Sequence, residues 1–350
     1  PDLLFKNYLW ETGVSKSNIS IIKNYFTILR KYKINRHSKL LEVASNDGSF
    51  VKKINNFFKC TVIGVDPAKN FKKKYPKNIK FINNYFDEHS SKKIEKKFGK
   101  FDFIIARNVV AHVSNPNKIF SGFNKLLKKD GVGIIEVPHL FNIIKENQYD
   151  NIFHEHIGFH SLKSLKDLCE MSKLKIFDVQ KINSQGGSLR CFIAKKKSAY
   201  KTSKNINIIL SKEMKLGLFK EKNLKKFKTI INKHRRGFMN LLQKIKNKNK
   251  KISIYGASGK GQALMQYCGI DNKIIDHVYD KGKLKIGKYT PGTNIKILNP
   301  DKINVKNVNY LLILTWNLKR EIILQEKFFK KAGGKFIVPF PKPKIISNIR

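Results

Sequence analysis

The sequence predicts an α/β protein of two units, the first a mostly parallel sheet that closes with an antiparallel hairpin. Three observations carry this. From residue 39, short β-branched runs alternate with amphipathic stretches, the pattern of βαβ units. Two strand-like runs joined by "NSQGG" then interrupt the alternation. At residue 250 a second strand, glycine-rich turn and helix begin. A chain of 350 residues is long enough to bury a core in each unit.

Taken in order, "KLLEVA" (39–44) predicts the first strand, with a helix from about Ser49 to Phe58. "TVIGVD" (61–66) and "IKFIN" (79–83) predict the second and third, "FDFIIARNVV" (101–110) and "GVGIIEVP" (131–138) the fourth and fifth. Between the last two, Ile119, Phe123, Leu126 and Leu127 share one helical face. "LKIFDVQKI" and "SLRCFIAKK" then pair as a hairpin. Five alternating units followed by a hairpin is the order of a class I methyltransferase sheet. Residues 200–248 lack proline and any strand signal. They read as a long lysine-rich helical connector, with Leu216, Phe219, Leu224, Phe227, Ile231, Phe238 and Leu241 as apolar stripes. "KKISIYGASGKGQAL" (250–264) opens a second Rossmann-like unit, with strands expected at 252–256, 274–279, 309–315 and 335–339. The expected division is an N-terminal segment lining the site (1–34), a methyltransferase-type domain (35–198), a connector (199–248) and a C-terminal α/β domain (249–350).

The net charge of +47 invites a nucleic-acid reading. It is nearly all lysine, whereas bidentate readout of bases and phosphates favours arginine. The lysines are also spread along the chain among Asn and Ile, residues that share AT-rich codons, so no specific nucleic-acid partner is expected. No apolar run suits a membrane span or a signal peptide. The sequence opens on Pro1, and the natural N-terminus is expected upstream. Cys60, Cys169, Cys191 and Cys268 stand apart with no CxxC pair, which fits a reducing cytoplasm and no thiolate metal cluster.

"LLEVASNDGSF" (40–50) puts Glu42 on the first strand and Ala44, Asn46, Asp47 and Gly48 in the turn before a helix. Such a turn, at the carboxyl edge of a parallel sheet, presents backbone N–H groups to a ligand. Asp66, twenty-four residues after Glu42, ends the next strand where a carboxylate can accept both ribose hydroxyls of a nucleoside; Pro67 follows it. The triple-glycine pyrophosphate fingerprint is absent, which favours S-adenosylmethionine over a dinucleotide. An ordinary strand–turn–helix with a surface Asp is the plainer alternative. The fourth strand runs into "ARNVVAHVSNP", placing Asn108 toward the methionine end of such a cofactor and His112 toward a substrate. His112 taken alone reads more readily as a helix-capping or partly buried imidazole than as a catalytic group.

"FHEHIGFHSL" (153–162) gathers His154, Glu155, His156 and His160, in a chain with nine histidines. His154 and His156 are two apart and point to opposite sides of an extended chain, and neither HExxH nor facial-triad spacing is present, so no metal is expected. A His beside a carboxylate is the usual general base. A polar loop capping a helix near Ser161 is the alternative. In "YGASGKGQAL" (255–264), Gly256, Gly259, Gly261 and Lys260 suit a phosphate cradle. Three readings stay open there: a dinucleotide site, a site for a substrate's diphosphate, or a tight turn.

With "LLFKNYLWETGVS", "LLEVASNDGSF", "ARNVVAHV", "FHEHIGFHSL", "GGSLR" (186–190), "YGASGKGQALMQYCGI" and "VYDKGKLKIGKYTPGTNI" in order along nearly the whole chain, the sequence resembles the sugar C-methyltransferases. These methylate C3 of nucleotide-linked (dTDP-linked in the expected case) 4-keto-deoxysugars with S-adenosylmethionine. The resemblance implies His156 as the base, Glu155 beside it, His112 and Tyr8 in the active site, and Tyr85 and Phe86 with the cofactor. It places Phe153, His160, Gly187, Ser188, Arg190, Gly256 and Lys260 on the substrate side. Two departures stand out. The family has Tyr where this chain has Phe153, which removes a donor to a developing oxyanion. The family's cysteine-rich zinc module would end where this chain starts, so no zinc is expected here. Rival readings are an O- or N-methyltransferase, an NAD-dependent oxidoreductase using "YGASGKG" and Asp280, and a non-catalytic binding protein. Sequence leaves the oligomeric state open, with a monomer admissible.

Overall fold

Residues 5–8, 13, 17–75 and 79–346 are described by the computed structural model. The rest of the N-terminal motif, residues 1–4, 9–12 and 14–16, lies outside the described residues. The chain divides into two compact units that interleave in sequence. The first takes Pro1–His139, Ile157–Asn183 and Gly187–Lys215, and the second takes Leu140–His156, Ser184–Gly186 and Leu216–Arg350. Residues 140–156, expected within the first domain, thus pack with the second.

In the first unit, helix α1 (Ser17–Lys31) precedes β1 (Lys39–Val43), α2 (Ser49–Phe58), β2 (Thr61–Val65), β3 (Lys80–Ile82), α3 (Glu88–Phe98) and β4 (Phe101–Arg107). α4 (Pro116–Leu126) and β5 (Leu127–Pro138) follow. In the second unit's excursion lies α5 (Leu140–Lys145), after which α6 (Leu162–Met171), β6 (Leu174–Ile182), β7 (Ser188–Lys195) and α7 (Lys204–Lys215) complete the first. The sheet order is β3-β2-β1-β4-β5-β7-β6. The first five strands are parallel, and β7 runs antiparallel to both β5 and β6. This is the parallel sheet ending in a hairpin that the sequence predicts.

Alternation along each strand feeds two cores. Leu41, Val43, Ile104 and Ala106 meet Phe120 and Phe123 of α4 on one face. Leu40, Phe103 and Ile105 meet Tyr25 and Leu29 of α1 and Phe50 and Ile54 of α2 on the other. β4 stops at Arg107, three residues short of the expected end, because Asn108 adopts φ 53° and turns the chain into the 3-10 segment Val110–His112. β5 starts early, at Leu127 paired with Phe101, across a register shift that the apolar pattern does not encode.

The expected continuous connector is two helices, α7 and α8 (Glu221–Lys246), separated by a break containing Gly217 at φ 63°. α7 buries Ile206 and Ile209 in the first unit, and α8 buries Phe227, Phe238 and Leu242 in the second; Phe219 and Leu224 of the expected stripe are exposed.

The second unit continues with β8 (Ile252–Tyr255), α9 (Gly259–Cys268), β9 (Val278–Tyr279), β10 (Ile297–Leu298) and β11 (Tyr310–Ile313). α10 (Lys319–Gln325), α11 (Lys327–Lys331), β12 (Lys335–Val338) and β13 (Lys344–Ile346) end it. The order β10-β9-β8-β11-β12-β13 is parallel except for β13, a doubly wound sheet whose direction reverses between β8 and β11. β10 and β13 are too short for any periodic signal, and β9 is shorter than expected. Among the described residues no helix is long and apolar enough to cross a membrane.

Candidate functional site

The reversal point of the first sheet lies between β1 and β4, where open α/β sheets hold their ligands. Three residues there adopt left-handed backbone conformations, Ala44 (φ 54°), Asn46 (φ 53°) and Gly48 (φ 73°), and Asn108 does so at the neighbouring strand end. Asn tolerates this region, but Ala does so only under strain, and such strain gathers at ligand sites. Two backbone bonds close the turn, from Ser45 N–H to Val65 O and from Gly48 N–H to Ser45 O. Gly48 is required twice over, because a Cβ there would lie 2.7 Å from the Tyr75 ring.

Asp66 is buried and ties the two loops together. One oxygen accepts the Asn46 N–H and the other the Ala68 N–H, each at 2.8 Å. Burial pushes its carboxyl up, and these two bonds pull it back. Pro67 is partly exposed beside it. Tyr85 N–H is held by Asn84, whereas Phe86, expected at the cofactor, is a core residue packed edge-on against Phe123 and over Gly122. Glu42 is buried at the same edge, with Oε1 bonded to Arg107 at 2.6 Å. Burial pushes its carboxyl up to about 7 against the pull of that guanidinium. Glu42 Oε2, Asn108 Oδ1 and Ser49 Oγ are buried without a hydrogen-bond partner, polar atoms that a native protein rarely leaves unsatisfied. An acceptor-rich edge above a tight turn fits S-adenosylmethionine, whose ammonium needs acceptors and whose adenosine carries no phosphate.

The pair Glu42–Arg107 begins a ladder across the sheet. Arg107 faces Glu136 in register, Glu136 faces Arg190, and Arg190 faces Gln180. Arg190 Nε donates to Glu136 Oε1 at 2.6 Å, its Nη1 bonds Asn24 and Gln180, and Tyr25 OH donates to Glu136 at 2.8 Å. Arg190, expected toward substrate, is therefore buried and committed inside the sheet. Ser188, at the start of β7, is fully buried, and Gly187 O accepts the His139 N–H.

On the same edge, the N-terminal segment is pinned to the first unit. Lys6 O accepts from Lys69 N–H, Tyr8 exchanges two bonds with the Asn70 side chain, and Gly13 N–H donates to Asp47. Phe5 packs edge-on against His112 at 5.8 Å. His160, expected at the substrate, is buried beneath Gly158 and bridged to His139; burial holds its pKa below the usual imidazole value. The helix after it is capped by Ser161 and Ser164, not by the histidines. His139 and Glu213, which sequence reasoning missed, form a buried 2.7 Å pair, and Glu213 also accepts the Leu162 and Lys163 N–H groups at the start of α6.

In the second unit, the loop 148–156 is built around buried anchors. Tyr149 OH bonds His234 Nδ1, whose Nε2 bonds Pro339 O. Asp150 accepts from Trp316 Nε1 at 2.7 Å, and burial pushes its carboxyl up while the Lys260 charge opposes this. Lys260 reaches toward Gln185 O at 3.5 Å, and burial pushes its pKa down. His156 Nδ1 lies 3.0 Å from Asn151 O, and the His156 backbone N–H donates to Phe153 O. A carbonyl only accepts, so Nδ1 carries the hydrogen and the basic lone pair of the neutral ring is on Nε2. The Phe153 ring centroid is 4.5 Å from that of His156; Glu155 is partly buried and His154 exposed. Tyr149, Asp150 and Trp316 carried no sequence signal, since Asp150 and Trp316 are 166 residues apart. Asp280, the acidic residue after β9, is engaged by Ala257 N–H, Gly282 N–H and Lys285 Nζ. Among the described residues no group of three or more His, Cys, Asp or Glu is gathered to hold a metal.

Residues 19–178 match the family described as a methyltransferase domain, and residues 183–341 the C-methyltransferase C-terminal domain. The chain is 30% identical over 349 residues to C-methyltransferase NovU of Streptomyces niveus, covering 99% of this chain and 83% of the relative. It is 25% identical over 194 residues to a tRNA U34 carboxymethyltransferase of Campylobacter fetus, covering 50% of this chain and 66% of that one. A crystal structure of a SAM-dependent methyltransferase from Anabaena variabilis overlaps 54% of this chain and 88% of its own, at 15% identity and a TM-score of 0.42. The full-length match to a C-methyltransferase, with the turn and strand ends described above, places this chain in the S-adenosylmethionine-dependent C-methyltransferase family.

Proposed function

We propose that the protein methylates C3 of a nucleotide-linked 4-keto-deoxysugar, with dTDP as the nucleotide, and that His156 is the base. The observation that carries this is the bond from His156 Nδ1–H to Asn151 O, which fixes the tautomer with Nε2 as proton acceptor. A hydrogen on C3 is acidic because the C4 carbonyl takes up the electron pair its removal leaves, giving an enolate. S-adenosylmethionine, when bound, supplies an electrophilic methyl group for that carbon. Glu42, the 44–48 turn, Asp66 and Asn108 are assigned to holding the cofactor, and Glu155 to steadying the imidazolium. His112 and Tyr8 are assigned to the acceptor. Ser188, Arg190 and His160 are reassigned from substrate contact to framework, since each is buried. Ile157, the next residue after His156, donates its N–H to Ala111 O, immediately before His112.

The His156→Ala variant is expected to bind S-adenosylmethionine as the wild type does in calorimetry. It should lose turnover of a dTDP-4-keto-deoxysugar by about 10²–10⁴-fold, the usual worth of a general base. With methyl-labelled cofactor, the wild-type product should carry the label on C3. Wild-type turnover by the variant, or a label on oxygen, refutes the assignment.

A further inference from the structure

We propose that the glycine-rich turn of the second unit is the platform for the base-bearing loop, with Gly259 as a positioning residue; this rests on the reading of His156 as the base. In a dinucleotide-binding unit the glycines of such a turn leave room for phosphate. Here that room is taken by the chain itself. A Cβ on Gly256 would lie 2.6 Å from Thr315 Oγ1, and one on Gly261 would lie 2.8 Å from Leu314 Cβ, both at the end of β11. A Cβ on Gly259 would lie 2.9 Å from Phe153 Cε2, 3.3 Å from Cδ2 and 3.4 Å from Glu155 Oε1. Asp280, where a nucleotide ribose would be held, instead grips the turn through Ala257 N–H.

Backbone conformation does not explain Gly259. Gly256 needs its freedom at φ 97°, but Gly259 is not in the left-handed region and opens helix α9, where propensity favours alanine. What excludes a side chain there is the Phe153 ring. That ring borders both the Gly259 position and the His156 imidazole, whose centroid is 4.5 Å away, and the His156 backbone N–H is bonded to Phe153 O at 2.9 Å. The Asp150–Trp316 bond fixes the loop at its other end. A methyl group at 259 therefore pushes the ring, the ring pushes the imidazole, and Nε2 is re-aimed.

Two measurements test this. Fluorine NMR of 4-fluorophenylalanine at position 153 reports the ring without any turnover, and Gly259→Ala should move its resonance. Steady-state kinetics with S-adenosylmethionine and a dTDP-4-keto-deoxysugar should show kcat falling about 10-fold for Gly259→Ala and about 100-fold for Gly259→Val, as misplacements near 1 Å do. The KM for S-adenosylmethionine and the thermal midpoint should stay as in the wild type. Placed on a Phe153→Ala background, Gly259→Ala should cost less than about 2-fold, because the obstructing ring is gone. An unmoved fluorine resonance, or an equal cost of Gly259→Ala with and without Phe153, overturns the proposal whatever His156→Ala does. A moved resonance with the cost of Gly259→Ala confined to the Phe153 background upholds it. If His156→Ala were then fully active, the base assignment would fall while the platform stood.

Discussion

At the residue scale, Phe153 is where this chain departs from the family it resembles, which carries Tyr there. Its ring touches both Gly259 and His156, so an added hydroxyl would extend from a ring whose position is already set. If that hydroxyl donates to the developing enolate oxygen, Phe153→Tyr should raise kcat by about tenfold or more, since one oxyanion donor is worth about 10²–10³ elsewhere. Unchanged kcat with unchanged KM would refute that role for the hydroxyl. Histidine identity alone was a poor guide in this loop. His156 is tautomer-fixed by a carbonyl, His154 is exposed, and His160 is buried with its ring bonded to the Val110 backbone.

At the element scale, the strands β4, β5 and β7 each contribute one charge to the ladder Arg107–Glu136–Arg190, with Glu42 of β1 at its end. Strand register makes this possible, because in-register neighbours on one face lie about 4.5–5.5 Å apart. Arg107 also lies 4.0 Å over the Phe50 ring of α2, and Tyr25 of α1 bonds Glu136, so the helices lock the ladder. Removing one partner leaves a buried charge unpaired. Arg190→Met should cost about 3–5 kcal/mol in denaturant unfolding, and the double variant Glu136→Gln/Arg190→Met should recover part of this. A loss below about 1 kcal/mol would mean that the guanidinium is not structural and would return Arg190 to the substrate side.

At the scale of the whole molecule, His160 in the first unit and His234 in the second are buried imidazoles held below their usual pKa by burial. A depressed imidazole contributes stability above the unfolded value of about 6.5, and that contribution is lost as pH falls toward the folded value. Glu42, Asp66 and Asp150 have the opposite sign, because their raised values favour the folded state on the acid side. The comparison that isolates the histidines is wild type against His160→Gln/His234→Gln. Relative to that variant, the wild type's denaturant midpoint should fall between pH 7 and pH 5. A constant difference across that range would show that neither imidazole is depressed.

The strands of the first sheet were legible in the sequence as short β-branched runs, as was the strand–turn–helix at 40–58, because both follow from neighbouring residues along the chain. So were the carboxyl-edge positions of Glu42, Asp66 and Asn108, which need only the strand ends. The tertiary structure decided what no spacing encodes: the assignment of residues 140–156 to the second unit, the commitment of Arg190 to Glu136, the pairing of Asp150 with Trp316, and the closure of the glycine-rich turn over Phe153. Local propensity and hydrophobic period act over a few residues, whereas burial and hydrogen bonding join groups that meet only after the sheets have formed.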